Sequence, residues 1–276
     1  MKAGTLFIES TAPACVGIPA MANTSTIGIL GGMGPEATNQ LCALITAHTS
    51  VVRDQDHVPV ITFNNSLIPD RVRAAEGDGQ SPVPEMIRTA RVLEQAGADF
   101  LVMPCNLAHL FLRDVQAAVR IEILDMIEET VGHIVEHYPQ CRQVGILAST
   151  PTLHSNLYHR SFEKHGRRLV APGADVQAEK VMKAIYGREG IKCGYKDEPR
   201  AALTEAAQRL VAAGAEMIIA GCTEISLVLD SEHSPFIVID PLDVIARVAV
   251  ARARPDGGGE TRGAAATSGA VSAAEA

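Results

Sequence analysis

An eleven-residue phrase occurs twice in this chain, and it limits the possible folds more than any other feature. The first copy runs Ala96-Gly97-Ala98-Asp99-Phe100-Leu101-Val102-Met103-Pro104-Cys105-Asn106, the second Ala213-Gly214-Ala215-Glu216-Met217-Ile218-Ile219-Ala220-Gly221-Cys222-Thr223. In each, an Ala-Gly-Ala helix ending and an acid lead into a short apolar run that stops at a cysteine and a small polar residue. The offset between the cysteines is 117 residues, and Ile27-Gly28-Ile29-Leu30 matches Val144-Gly145-Ile146-Leu147 at the same offset. Two separate features at one offset indicate a duplicated half. The apolar runs have the length of buried parallel strands. Open α/β sheets build their sites at the C-terminal ends of such strands. The expectation is therefore α/β: two pseudo-symmetric Rossmann-like lobes with parallel sheets, and a site in the cleft where Cys105 and Cys222 meet.

Composition narrows the function. At 276 residues the chain has room for two such lobes. Its net charge of −8 and its lack of any Lys/Arg run argue against a nucleic-acid surface. No apolar stretch reaches the roughly 20 residues that span a bilayer. The six cysteines, Cys15, Cys42, Cys105, Cys141, Cys193 and Cys222, include no C-x-x-C pair, which argues against a metal knuckle or a dithiol redox site. Reduced thiols and no convincing export signal point to a cytoplasmic protein. Cys42 and Cys141 read as small buried hydrophobes. Cys105 and Cys222 differ in sitting at matched strand tips beside Asn106 and Thr223.

In chain order, residues 1–24 read as a disordered leader and 253–276 as a disordered tail of Gly, Ala, Ser and Thr. Residues 25–122 with 235–252 make the expected first lobe, and 123–234 the second. The first strand ends in Gly31-Gly32-Met33-Gly34-Pro35, a turn whose glycines and Pro suit a helix start close to a ligand. Gly32-x-Gly34-x-x-Ala37 meets the dinucleotide pattern, but the second strand ends in Asn64-Asn65 and lacks the acid that a ribose needs. Arg71 follows that strand and can fork a carboxylate. The corresponding turn of the second half is Ser149-Thr150-Pro151-Thr152, with hydroxyls where the first half has bare backbone. Gly187 to Gly194 reads as a glycine-broken, mobile connection that brings Lys192 to the cleft. Helices are expected to start just after both cysteines, and a helix N-terminus there favours thiolate.

Taken together, Ile27-Gly28-Ile29-Leu30-Gly31-Gly32-Met33-Gly34-Pro35, Phe63-Asn64-Asn65 with Pro69-Asp70-Arg71, Met103-Pro104-Cys105-Asn106, Gly221-Cys222-Thr223-Glu224 and Ile239-Asp240-Pro241-Leu242 resemble the cofactor-independent aspartate/glutamate racemases. The resemblance runs from about Ile27 to Val250. It implies two lobes with an amino-acid substrate between them, no pyridoxal phosphate or other cofactor, no metal, and a homodimer. It also implies that Cys105 and Cys222 are the two catalytic bases, and that Arg71 and Lys192 hold a side-chain carboxylate. Met33, Asn106, Thr150, Thr152 and Thr223 complete the candidate substrate contacts.

The residue chemistry agrees with that expectation. Inverting an α-carbon needs a base on one face and an acid on the other. Thiols serve both roles because their ordinary pKa, roughly 8.5, lies close to neutrality. The expected activity is interconversion of L- and D-aspartate, or glutamate, within D-amino acid metabolism. Leu107 stands where many relatives carry threonine, which keeps open a broader or non-acidic amino-acid racemase. A related cysteine isomerase or decarboxylase, and a binding protein without turnover, are the other readings.

Overall fold

The computed structural model describes residues 24–255. The expected leader and most of the expected tail lie outside that range. The first half contains β1 (Ile27–Gly31), α1 (Pro35–His48), β2 (Val60–Asn64), α2 (Arg71–Glu76), α3 (Val83–Gln95), β3 (Phe100–Val102), α4 (Leu112–Gln116) and β4 (Glu122–Ile123). The second contains α5 (Met126–His137), β5 (Gln143–Leu147), α6 (Thr150–His154), α7 (Leu157–Lys164) and β6 (Arg168–Val170), then α8 (Ala174–Val176). A π-helical turn (Gln177–Met182) follows, then α9 (Lys183–Tyr186), α10 (Asp197–Ala212), β7 (Met217–Ala220), β8 (Val238–Ile239) and α11 (Pro241–Ala253). The sheets run β2-β1-β3-β4 and β6-β5-β7-β8, every pair parallel. One strand order occurs twice, as the repeat requires.

Each part of the repeated phrase has the same physical task in both lobes. Gly97 and Gly214 take left-handed φ values of 96° and 97° just past a helix end, a conformation that favours glycine. The acid clamps the start of the central strand. Asp99 Oδ2 accepts from the Thr26 N–H at 2.6 Å, and Glu216 Oε1 accepts from the N–H groups of Arg142 and Gln143 at 2.7 and 2.9 Å. Gly28 pairs in register with Leu101, and Gly145 with Ile218. A Cβ on Gly28 would lie 2.4 Å from Leu101 Cδ2 and 2.8 Å from Ala98 Cβ. On Gly145 it would lie 2.6 Å from Ile218 Cδ1 and 3.2 Å from Ala215 Cβ. The two features at the 117-residue offset are therefore the two sides of one contact.

The lobes are joined by exchanged helices. After β4 the chain leaves the first sheet, and Ile127, Val131 and Ile134 of α5 pack with Val144 and Ile146 of the second. After β8 the chain leaves the second sheet, and Leu242, Ile245, Ala246 and Ala249 of α11 pack with Ile27, Ile29 and Leu41 of the first. Both helices start on an aspartate cap: Asp125 accepts from the N–H groups of Ile127 and Glu128, Asp240 from that of Leu242.

This exchange divides the segment 235–252, expected wholly in the first lobe. α11 packs there, but β8 hydrogen-bonds to β7 in the second sheet. α11 also runs through Ala253, which is fully buried, so the expected tail begins later than residue 253. Short 3-10 turns, Leu107–Phe111 and Ile225–Leu227, follow the two cysteines where regular helices were expected. Such turns carry little of the macrodipole that a long helix would direct at a sulfur. No helix among the described residues is long and apolar enough to cross a membrane.

Gly28→Ala and Gly145→Ala should each cost about 1–3 kcal/mol, the usual range for overpacking a filled core. Urea denaturation of the two variants checks this; a loss near zero at either site would mean that the strands do not depend on that contact.

Candidate functional site

Loops at the C-terminal ends of the strands of both lobes close around one small cavity of about 30 Å³. Cys105 and Cys222 both line it, one from each lobe. So do Met33, Arg71, Asn106, Thr152, Lys192 and Thr223.

Thr150 does not join them. Its hydroxyl accepts from Gln177 Nε2 at 3.2 Å and its N–H points at Met182 Sδ, so it faces the π-helical turn. Ser149, the preceding residue and the cap of α6, lines the cavity in its place and shares a 2.8 Å hydrogen bond with the Thr152 hydroxyl. Asp70, Tyr186 and Glu224 also line the cavity without having been singled out from the sequence.

The first-lobe wall carries two buried donors that have no acceptor among the described residues. Arg71 Nη1 is held by the carbonyls of Ile68 and Pro69 at 3.2 and 3.0 Å, while its buried Nε has no partner. Asn106 is 2% exposed; its Oδ1 accepts from the Tyr158 hydroxyl at 2.6 Å, and its Nδ2 is buried and unpartnered. Tyr158 belongs to α7 of the second lobe and is itself buried, so that contact fixes the carboxamide across the lobe boundary. A buried N–H without an acceptor costs on the order of 1–3 kcal/mol. Two of them on one cavity call for an acceptor-rich ligand, and a carboxylate accepts from both kinds of donor.

The second-lobe wall is charged and internally paired. Glu224, 7% exposed, takes a hydrogen bond from Lys192 Nζ on one oxygen; its other oxygen, Oε2, accepts from Cys222 Sγ at 3.0 Å. Burial pushes the Glu224 carboxyl up, but the charge and hydrogen bond of Lys192 outweigh it, and the net position is below the usual carboxylate value. Burial likewise pulls Lys192 down, while Glu224 more than offsets this and leaves it raised. Burial and then the neighbouring Glu224 charge push the Cys222 thiol well up. The Lys192 ammonium also sits 5.4 Å from the centre of the Tyr186 ring. Lys196, just beyond, bonds Glu36 of α1 at 2.8 Å and ties this segment to the first lobe.

His109 supports the Cys105 turn from behind. Its Nδ1 donates to the Cys105 carbonyl at 2.9 Å, and its Nε2 accepts from the Met126 N–H at 3.1 Å, which fixes the neutral tautomer. Burial lowers its pKa in the same sense.

The Asp/Glu/Hydantoin racemase family model matches residues 30–249. The broad specificity amino-acid racemase RacX of Bacillus subtilis (strain 168) is 27% identical over 231 residues, covering 81% of this chain and 96% of RacX. Among solved structures, Picrophilus torridus aspartate racemase matches with a TM-score of 0.70 and 25% identity, over 83% of this chain and 94% of that one. An aspartate racemase homologue from Pyrococcus horikoshii OT3 matches with a TM-score of 0.65 at 22% identity, over 83% and 99%, and so shares the fold.

A small dicarboxylate such as succinate should raise the melting temperature of the protein, and Arg71→Ala or Asn106→Ala should abolish most of that shift. Tyr158→Phe keeps the carboxamide but frees it to rotate, and should weaken binding about 2–10-fold by calorimetry, the worth of one ordinary hydrogen bond. Undiminished binding in all three variants would place the ligand elsewhere.

Proposed function

Because the chain belongs to the Asp/Glu/hydantoin racemase family, we propose that it interconverts the L and D forms of aspartate or glutamate, without a cofactor, by proton transfer through Cys105 and Cys222. One observation carries this reading: two thiols from opposite lobes share a cavity with the unpartnered buried donors of Arg71 and Asn106.

The chemistry follows from that arrangement. A thiolate on one face removes the α-proton and becomes a thiol; the thiol on the other face delivers its own proton and becomes a thiolate. Net charge in the cavity is unchanged. As the α-proton leaves, negative charge builds on the substrate's α-carboxylate. The Asn106 Nδ2–H and neighbouring backbone N–H groups are the donors available to hold it, and the Thr223 hydroxyl joins them on leaving Glu224 Oε2, 3.4 Å away. In this reading the guanidinium of Arg71 holds the side-chain carboxylate, and Lys192 approaches it from the other wall. A homodimeric assembly and a cytoplasmic location come with the reading from the family resemblance.

A second reading keeps the two thiols and widens the substrate. Lys192 is already paired with Glu224, and Met33, Val72 and Leu107 give part of the cavity an apolar lining. RacX, a relative over most of its length, is described as broad in specificity. A neutral side chain fits such a wall without displacing Lys192 from its partner.

Proton NMR in D₂O separates the two. Reduced protein, dialysed against EDTA and hydroxylamine to remove metals and any pyridoxal phosphate, is incubated with L-aspartate, L-glutamate, and neutral amino acids such as L-alanine or L-leucine. The proposal expects loss of the α-proton signal and growth of the D enantiomer on an acidic substrate only, and loss of that activity in Arg71→Ala. Turnover of the neutral amino acids at comparable rates selects the second reading, and exchange on none of them rejects both.

A further inference from the structure

The repeat makes the lobes alike, but the surroundings of the two sulfurs differ. Cys222 Sγ donates to Glu224 Oε2 at 3.0 Å, whereas among the described residues no hydrogen bond reaches the sulfur of Cys105. From this asymmetry we propose that Glu224 is a positioning residue that keeps the resting proton on Cys222, so that of the two sulfurs Cys105 is the one free to serve as base in the free enzyme. The proposal rests on the two-cysteine reading above and adds to it which sulfur is the base in the resting enzyme.

The geometry supports a fixed assignment. A carboxylate accepts hydrogen bonds and a thiolate has no proton to give, so the contact exists only while Cys222 is protonated. Were Cys222 to ionise, two negative groups would face each other about a hydrogen-bond length apart in a buried wall, which is strongly unfavourable. Lys192 keeps the acceptor in its ionised form by occupying the other carboxylate oxygen. The remaining groups facing this cavity are Tyr186 from α9, the Arg71 guanidinium and Asp70 at the start of α2, and Cys105 itself. Tyr186 is 38% exposed, but desolvation of its phenol and the nearby Cys222 and Glu224 charges push it up, so it stays neutral and cannot exchange roles with the thiols. Two-base transfer needs one proton between the two sulfurs; Glu224 biases where that proton rests.

Turnover then has a defined starting point. The Cys105 thiolate accepts the α-proton of the enantiomer whose C–H faces it, and the Cys222 thiol donates to the opposite face. The product form holds Cys105 as thiol and Cys222 as thiolate, next to Glu224. The reset moves one proton from Cys105 back to Cys222, by way of the opposite enantiomer or of solvent. L and D forms are equal in free energy in solution, so the bias leaves the two kcat/KM values equal. It appears instead in the populations of the two enzyme forms.

Alkylation by iodoacetamide, quantified at each cysteine by peptide mass spectrometry across pH, reads those populations because only thiolate reacts appreciably. Exposure alone favours Cys222, since Cys105 is 8% exposed and Cys222 is only partly buried. The proposal expects the reverse order: Cys105 reacts faster at neutral pH, and Cys222 needs a higher pH to reach half its maximal rate. In Glu224→Gln, which keeps the shape but removes the charge, the Cys222-to-Cys105 rate ratio should rise about tenfold, the effect of one pKa unit. If Glu224→Gln fails to fold, the wild-type pH profiles decide alone. Cys222 reacting first in the wild type, or an unchanged ratio in folded Glu224→Gln, overturns the assignment. Racemisation lost in both Cys105→Ser and Cys222→Ser would uphold the two-base reading even if the alkylation order fails. Racemisation retained in those variants rejects that reading whatever the order.

Discussion

A strand lying flush against a glycine is the contact on which the rest of the structure depends. In each lobe the central strand carries a glycine, Gly28 or Gly145, and the neighbouring strand presses an alanine and a branched aliphatic into the space a Cβ would fill. An acid two residues ahead of that aliphatic clamps the start of the central strand. Close approach and clamp together set how far the strand runs before its cysteine. Because the same contact is built twice, the two cysteines leave their sheets at equivalent heights. The exchanged helices α5 and α11 then bind each lobe to the other's layer, so the tips face a common cavity.

On that symmetric frame the chemistry is asymmetric. The tip of the first lobe presents a sulfur beside a carboxamide oriented by Tyr158, with buried N–H groups on Asn106 and Arg71 that lack partners among the described residues. The second presents a sulfur inside a closed network of Glu224 and Lys192. A racemase needs opposite protonation states on its two faces at any moment, and a perfectly symmetric pair would have no preferred state to start from. Removing the half-exposed Lys192 ammonium would leave the buried Glu224 carboxylate without its counter-charge, which is costly and favours a persistent network over one that opens in each turnover.

Much of this was legible in the amino-acid order because it rests on short-range rules. Alternating glycine, acid and apolar positions at one offset report strand packing directly, and they located both cysteines. Arg71, Met33, Asn106, Thr152 and Thr223 sit within a few residues of strand ends, so a sequence can place them at the cleft. Thr150 shows the limit. One step along a helical turn rotates a side chain by roughly 100°, and Ser149 faces the cavity instead. Tyr186 reaches the site at the end of α9, just after a π-helical turn, and no pattern announced that. Glu224 did carry a signal. A charge embedded between Cys222-Thr223 and the apolar Ile225 is an expensive residue to bury without a partner. β8, two residues long, gives no local indication of its sheet: it pairs with β7 in the second lobe, while the helix that follows it packs in the first.

Two-base racemisation requires two thiols, one from each lobe, on opposite faces of one α-carbon. The most direct test follows racemisation of the pure L and pure D amino acid by Cys105→Ser and Cys222→Ser, each verified as folded, with polarimetry or chiral chromatography as the readout. Both single variants should lose racemisation in both directions, because each direction uses one sulfur as base and the other as acid. A single variant that still racemises at a rate close to that of the wild type would contradict it and leave only one of the two thiols in the reaction.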